Sequence, residues 1–242
     1  MVVRGRPISL TSFLFKTMEK IVKREIDLQY LPKQPLNCHQ HAFRSGHSCE
    51  SALAEATDFI ESAIMRGSNC LGIFLDISGA FDNLQIHAAV DGMKAKNICP
   101  SIIRWYSHYL GNRTIVANIG GVTVEKSLNR GTPQGGVLSP LVWNLAIEDL
   151  LEELNSGPVR AVGFADDVCI LLRGIDPNSI VDLAQIAVNK AIAWGDRTGL
   201  QFNASKTAVV FFSHKNKLPE LKRISVNDQL VDYSDKVKYL AN

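Results

Sequence analysis

An α+β fold built on a ferredoxin-like antiparallel sheet in βαββαβ order is the architecture this sequence predicts, and three observations predict it. Residues 71–76 (LGIFLD) form an apolar run of strand length that ends in a carboxylate. Val159, Ala161, Val162 and Phe164 before Asp166-Asp167, and the unbroken run 168–172 after it, are mostly apolar and β-prone, the pattern of a hairpin with two acids in its turn. Asp176-Pro177 then opens a long helical pattern through Ala184, Ala187, Ala191 and Trp194, which stops near Gly199 and leads into an apolar strand at 208–212. In this order a right-handed crossover makes the first two strands parallel, places the third antiparallel between them, and puts the helices on one face.

The remaining elements fall around that sheet. Leu14, Met18, Ile21, Val22 and Ile26 mark the apolar side of an N-terminal helix, with Lys20, Lys23 and Arg24 on its wet face. A second helix spans 48–66, supported by Leu53, Ala56, Ile60, Ala63 and Ile64 and stopped by Gly67. Beyond a turn at 78–82, helical patterns cover 86–96 and 102–110, the latter closed by Gly111. Residues 114–119 and 122–128 alternate around Gly120-Gly121 as a hairpin. A glycine-rich loop at 129–136 precedes Ser139-Pro140, an N-cap and first helical residue for the helix bearing Leu141, Leu145, Ile147 and Leu151. A small β element with its turn at Asn227-Asp228 closes the chain.

The topology has a chemical consequence, because the end of the first strand lies beside the turn joining the second and third. Asp76 is thereby brought next to Asp166 and Asp167. Three carboxylates so placed repel one another and titrate as a coupled set unless cations neutralise them. Hard oxygen ligands suit magnesium, with manganese as a substitute, and a pair of such ions suits in-line attack at phosphorus.

Composition sets limits on the alternatives. The chain has 242 residues, 46% hydrophobic and 21% charged, enough for one large or two small cores. Five cysteines with no CxxC pair fit free thiols in a reducing, intracellular setting such as cytoplasm or nucleus. No stretch approaches the roughly 20 apolar residues of a membrane span. Net charge is +2, yet the first 47 residues hold eight Lys/Arg against three Asp/Glu, so the remaining 195 sum to −3. A basic part that faces nucleic acid joined to an acidic, metal-binding part fits this asymmetry. Cys38, His39, His41, His47 and Cys49 crowd five potential zinc ligands into twelve residues, but their spacing matches no usual zinc pattern.

FLDISGAFDNL (74–84), GTPQGGVLSPLVWN (131–144) and FADD (164–167) together resemble reverse transcriptases, most of all those of non-LTR (LINE-type) retrotransposons. RPISLTSFLFKTMEKIV (6–22), QHAFRSGHSCESAL (40–53) and GLQFNASKTAVVFF (199–212) extend the resemblance over nearly the whole chain. The resemblance implies a right-hand polymerase: fingers at 1–69, a palm at 70–223 with an inserted hairpin near 113–128, and a primer-grip-like β element at 224–242. It further implies that an N-terminal strand, a thumb and an endonuclease belong to a larger parent polyprotein.

By the same resemblance, Asp76, Asp166 and Asp167 hold two magnesium ions, and Lys206 protonates the departing pyrophosphate. Arg6 and Arg44 contact the triphosphate, Phe81 lies under the sugar and collides with a 2′-hydroxyl, and Gln134 and Gly135 approach nucleotide and template base. Asp82 reads as a structural hydrogen-bonding residue, and Asn203 belongs to the fourth palm motif. His47 stands where the family has Arg or Lys, and Cys49 where it has Thr. The implied activity is RNA-directed DNA polymerisation on an RNA template, a DNA primer and deoxynucleoside triphosphates. The competing reading is a nucleic-acid-binding remnant that keeps the fold without extending a primer.

Overall fold

The structure is a computed structural model that describes residues 9, 11–214 and 220–240. The chain divides into two compact units that interleave along the sequence. One takes the described residues up to Leu36 together with Gly79–Ala146, and the other takes Asn37–Ser78 and the described residues from Ile147 onward.

The second unit holds the sheet. Its strands β1 (Asn69–Asp76), β4 (Arg160–Phe164), β5 (Asp167–Gly174) and β6 (Ala208–Phe212) pair antiparallel in the order β4-β5-β1-β6. That is the order expected of βαββαβ, with β5 between the parallel strands β1 and β4. Register assigns the faces, since side chains alternate across a strand. Leu71, Ile73 and Leu75 of β1 pair with Leu172, Ile170 and Val168 of β5 on one face, and all six are buried. A Cβ on Gly174 would meet Ile180 of helix α7 (Pro177–Thr198), and one on Gly163 would meet Leu151 of helix α6 (Ser139–Asn155), both on that face.

The opposite face carries Phe74, Val162, Cys169, Leu171 and Val210, packed against Ala52 and Ala56 of helix α2 (Cys49–Met65). The two helices between the strands therefore cover one face as expected. The other face is not bare, because α2, which precedes β1, lies across it through alanines whose small side chains permit close approach. Sequence-local signals set these elements: Asp176 caps α7 by accepting from Ser179 N at 2.8 Å, Gly199 ends it in the left-handed region at φ 74°, and a Ser48/Ser51 capping box opens α2. Strands β7 (Ile224–Val226) and β8 (Gln229–Val231) turn at Asn227 and Asp228, both at positive φ, and Ser225 bonds Gln185 to fasten the pair to α7.

In the first unit, helices α1 (Phe13–Gln29), α4 (Ile86–Ala95), α5 (Pro100–Gly111) and the start of α6 surround Tyr106, Leu110, Met93 and Trp143, each at most 1% exposed. The hairpin β2 (Arg113–Ile119) and β3 (Val122–Leu128) lies where expected. Helix α1 is turned differently from expectation: Val22 and Ile26 are buried with Glu19, while Leu14, Met18 and Ile21 are 78%, 47% and 60% exposed. The cause is Glu19, whose carboxylate accepts from Val137 N at 3.1 Å and Leu138 N at 3.4 Å and so pins that side of α1 to the chain entering α6. Ser139, expected as the α6 cap, donates its hydroxyl to Pro133 O at 2.8 Å.

Candidate active site

Within the second unit, β1 and β5 stand in a register that makes Asp76 and Asp167 direct cross-strand partners. Both lie on the face that carries Phe74 and Cys169, because each is two residues from one of them. Asp166 occupies the β4–β5 turn, where Ala165 takes φ 54°, and its carbonyl accepts from Ile77 N at 3.3 Å. The three acids predicted from topology are thus brought to one end of the sheet.

Their electrostatics follow from that placement. Burial, then the charges of Asp166 and Asp76, push the Asp167 carboxyl up to about 6, against a smaller downward pull from Lys206. Lys206 reaches Asp76 directly, with Nζ 3.1 Å and 3.2 Å from its two oxygens. Asn203 builds the turn that delivers this lysine: its N–H donates to Asp76 O at 3.0 Å, its carbonyl accepts from Lys206 N at 3.1 Å, and its side-chain oxygen accepts from Ser205 N at 3.0 Å. The segment after α7 is therefore locked to the end of β1.

A groove of about 540 Å³ opens here, lined among others by Phe74, Asp76, Asp167, Lys206 and Tyr239. Tyr239 packs its ring 5.0 Å from that of Phe74, so residues 236–240 run along the carboxylate end of the sheet. Among the described residues no three His, Cys, Asp or Glu side chains already converge on a common point as a metal cage. The donor chemistry nonetheless fits a hard divalent cation: carboxylate oxygens gathered at one end of the sheet, one of them with a proton affinity raised by burial first and by the other two carboxylates second.

The first unit holds Phe81, Gln134 and Gly135. Phe81 belongs to the short helix α3 (Ala80–Asn83), is half-buried, and stacks on Trp143 with ring centroids 5.7 Å apart. Its carbonyl accepts from Thr132 N at 2.7 Å, and Leu84 O accepts from Gly131 N at 2.7 Å, which zips the 79–84 turn to the 129–136 loop. Gly131 is required at this crossing, since its φ is +78° and a Cβ would lie 2.5 Å from Asp82 O. Gly135 has φ 95°, and Gln134 donates its amide to both oxygens of Asp82 at 2.9 Å and 3.0 Å. Arg6 lies outside the described residues.

Arg44, in the second unit, donates one guanidinium nitrogen to Asn37 O at 2.5 Å and Gln40 O at 3.1 Å, which braces its own loop. The Cys/His cluster nearby is organised by residues the sequence did not single out. Glu55 of α2 accepts from His39 Nδ1 at 2.6 Å and from His41 Nε2 at 2.9 Å, and Arg160 of β4 approaches the same carboxylate at 3.3 Å. His47 Nδ1 is 3.3 Å from Ser45 O, and Cys49 Sγ donates to Leu240 O at 3.3 Å. Glu55 and Glu19 both carried no sequence signal, because an acid on a helix ordinarily reads as a wet-face residue.

An antiparallel sheet in βαββαβ order with three carboxylates at one end and a lysine held against one of them defines the class: a mixed α/β domain with antiparallel sheets. The chain belongs to the family described as reverse transcriptase (RNA-dependent DNA polymerase), which matches residues 4–241. It is similar to the "Retrovirus-related Pol polyprotein from type-1 retrotransposable element R1" of Bradysia coprophila, 27% identical over 238 residues that make up 97% of this chain and 23% of that protein. It is also similar to the "Probable RNA-directed DNA polymerase from transposon X-element" of Drosophila melanogaster, 28% identical over 97% of this chain and 26% of that protein. The chain thus spans about a quarter of the length of these curated relatives. Among solved structures, telomerase from Candida tropicalis in complex with a fragment of telomeric RNA shares the fold, with a TM-score of 0.60 at 11% identity over 90% of this chain and 38% of that one.

Proposed function

We propose that this chain is the polymerase core of a non-LTR retrotransposon reverse transcriptase, transferring deoxynucleotides to a primer 3′-hydroxyl on an RNA template. The observation that carries the reading is the juxtaposition of Asp76, Asp166 and Asp167 at the end of β1 and the β4–β5 turn. In this reading residues 1–69 act as fingers, 70–223 as palm and 224–242 as primer grip. The groove beside residues 236–240 supports the last assignment.

Asp76, Asp166 and Asp167 would hold the divalent metal, magnesium by the hardness of the donors and two ions by resemblance. When bound, the metal supplies Lewis-acid activation of the primer hydroxyl and charge neutralisation at the leaving pyrophosphate. The chain's own contribution is to keep the carboxylates close at the cost of mutual repulsion. Lys206, held beside Asp76 by the Asn203 turn, would move a proton at that end of the sheet. The roles of Phe81, Gln134, Gly135, Arg6 and Arg44 toward the nucleotide rest on the family resemblance. For Arg44, whose one nitrogen braces its loop, any triphosphate contact falls to the rest of its guanidinium.

The test is primer extension with dTTP on poly(rA)/oligo(dT) in magnesium, comparing this chain with a longer one that carries the neighbouring regions of its relatives. Extension that is abolished by chelator and restored by magnesium or manganese is expected. Metal-independent extension, or none from either chain, would overturn the reading.

A further inference from the structure

Gln134 is held through both its backbone and its side chain within the first unit. Its backbone carbonyl accepts from Ser9 N at 2.8 Å, and its amide nitrogen donates to Asp82 Oδ1 and Oδ2 at 2.9 Å and 3.0 Å. A carboxylate accepts only, so the contact settles which end of the amide is which: Nε2 faces Asp82 and Oε1 faces away. Asp82 is itself immobilised through its backbone. Its N–H donates to Gly79 O at 3.0 Å, and its carbonyl lies so close to Gly131 that a Cβ there would be only 2.5 Å away. Arg113 tightens the same loop from beneath by donating to Arg130 O at 2.9 Å and Gly131 O at 2.5 Å. A half-buried glutamine without that partner would sample more rotamers and both amide orientations, and ordering it at binding would cost affinity.

We propose that Asp82 is a positioning residue that fixes the Gln134 amide so that Oε1 is presented, already oriented, as an acceptor for a hydrogen-bond donor on the incoming nucleotide. The inference rests on the reading that Gln134 contacts that nucleotide. The donor is a sugar hydroxyl or a base N–H. Asp82 touches neither and acts only by removing the freedom of its neighbour.

The experiment measures dTTP and 2′,3′-dideoxy-TTP dissociation constants for the chain on poly(rA) annealed to a dideoxy-terminated oligo(dT), in magnesium, for wild type, Asp82→Ala, Asp82→Asn, Gln134→Ala and the Asp82→Ala/Gln134→Ala pair. The Gln134 side-chain amide is followed in parallel by ¹H–¹⁵N correlation. Asp82→Ala is expected to weaken dTTP binding about tenfold, the scale of one charge-assisted hydrogen bond. Asp82→Asn, which keeps an acceptor oxygen, should stay within about threefold of wild type. The double variant should bind no more weakly than the weaker single, because both changes remove one device. The amide resonance should move to its solvent-exposed position in Asp82→Ala and not in Asp82→Asn.

A loss seen with dTTP and not with the dideoxy analogue assigns the donor to the sugar, and an equal loss with both assigns it to the base. Additive losses, or wild-type binding by Asp82→Ala when Gln134→Ala binds weakly, would overturn the positioning role and leave the nucleotide reading in place. Wild-type binding by Gln134→Ala would overturn the nucleotide reading at that residue and the inference with it.

Discussion

Lys206 holds Asp76 by both carboxylate oxygens, at 3.1 Å and 3.2 Å, while the cross-strand partner of Asp76 feels that lysine only as a minor charge. That partner is Asp167, half-buried, with its carboxyl pushed up to about 6 by burial and by Asp166 and Asp76.

That imbalance makes a stability prediction with a definite sign. Between the ordinary carboxyl range and about 6, folded Asp167 binds more proton than unfolded Asp167, so stability falls as pH rises through the window and the penalty is fully present above it. Asp167→Asn removes the penalty. Discounted for solvent exposure, it should raise metal-free stability at pH 7.5 by about 1 kcal/mol, with the gain gone near pH 4. Urea unfolding in chelator across that range checks it, and a loss of stability at pH 7.5 would contradict it.

Glu19 is fully buried and accepts two backbone N–H groups from Val137 and Leu138. Glu19→Ala leaves both donors without their partner and should cost about 2–4 kcal/mol. Glu19→Gln keeps the shape and one of the two acceptor oxygens, turning an NH2 toward the other donor, and should cost less than Glu19→Ala. Equilibrium unfolding of the two variants measures the difference, and equal costs would show that packing rather than the hydrogen bonds holds α1 in its orientation.

How much of this was legible in the sequence depended on range. Strands β1, β5 and β6 announce themselves by apolar runs, and α7 by its Asp176-Pro177 start and Gly199 stop, all of which are local signals. Chain order then placed Asp76 beside Asp167 through a chirality rule that needs no side-chain detail. The face of α1 was misread because Leu14, Met18 and Ile21 match helical period as well as Val22 and Ile26 do. Only a bond from Glu19 to a segment more than a hundred residues away chooses between the two stripes. The same limit hid Glu55 behind the His39/His41 pair and left Asp82 known as a hydrogen-bonding residue without its partner.

Phe81 stacks on Trp143 yet is only half-buried, so shortening it leaves a partly solvated gap instead of an enclosed cavity. Phe81→Val should therefore cost less than about 2 kcal/mol in stability. Where the ring excludes a 2′-hydroxyl, the same change should raise ribonucleotide use at least about tenfold, with deoxynucleotide use falling much less. Competitive incorporation of the two sugars, measured with the melting temperature, checks both numbers. Unchanged sugar preference with a large stability loss would reject the gate.

The most direct measurement is single-nucleotide extension of oligo(dT) on poly(rA) in magnesium by Asp76→Asn, Asp166→Asn and Asp167→Asn, each paired with its melting temperature in chelator. Each substitution removes one charge from a set that already repels itself, so loss of extension is expected in all three, with a metal-free melting temperature equal to or above that of wild type for Asp166→Asn and Asp167→Asn and close to it for Asp76→Asn, where relieved repulsion is offset by the weakened Lys206 contact. Wild-type extension by any one of them would contradict the assignment of these carboxylates as the metal-holding centre.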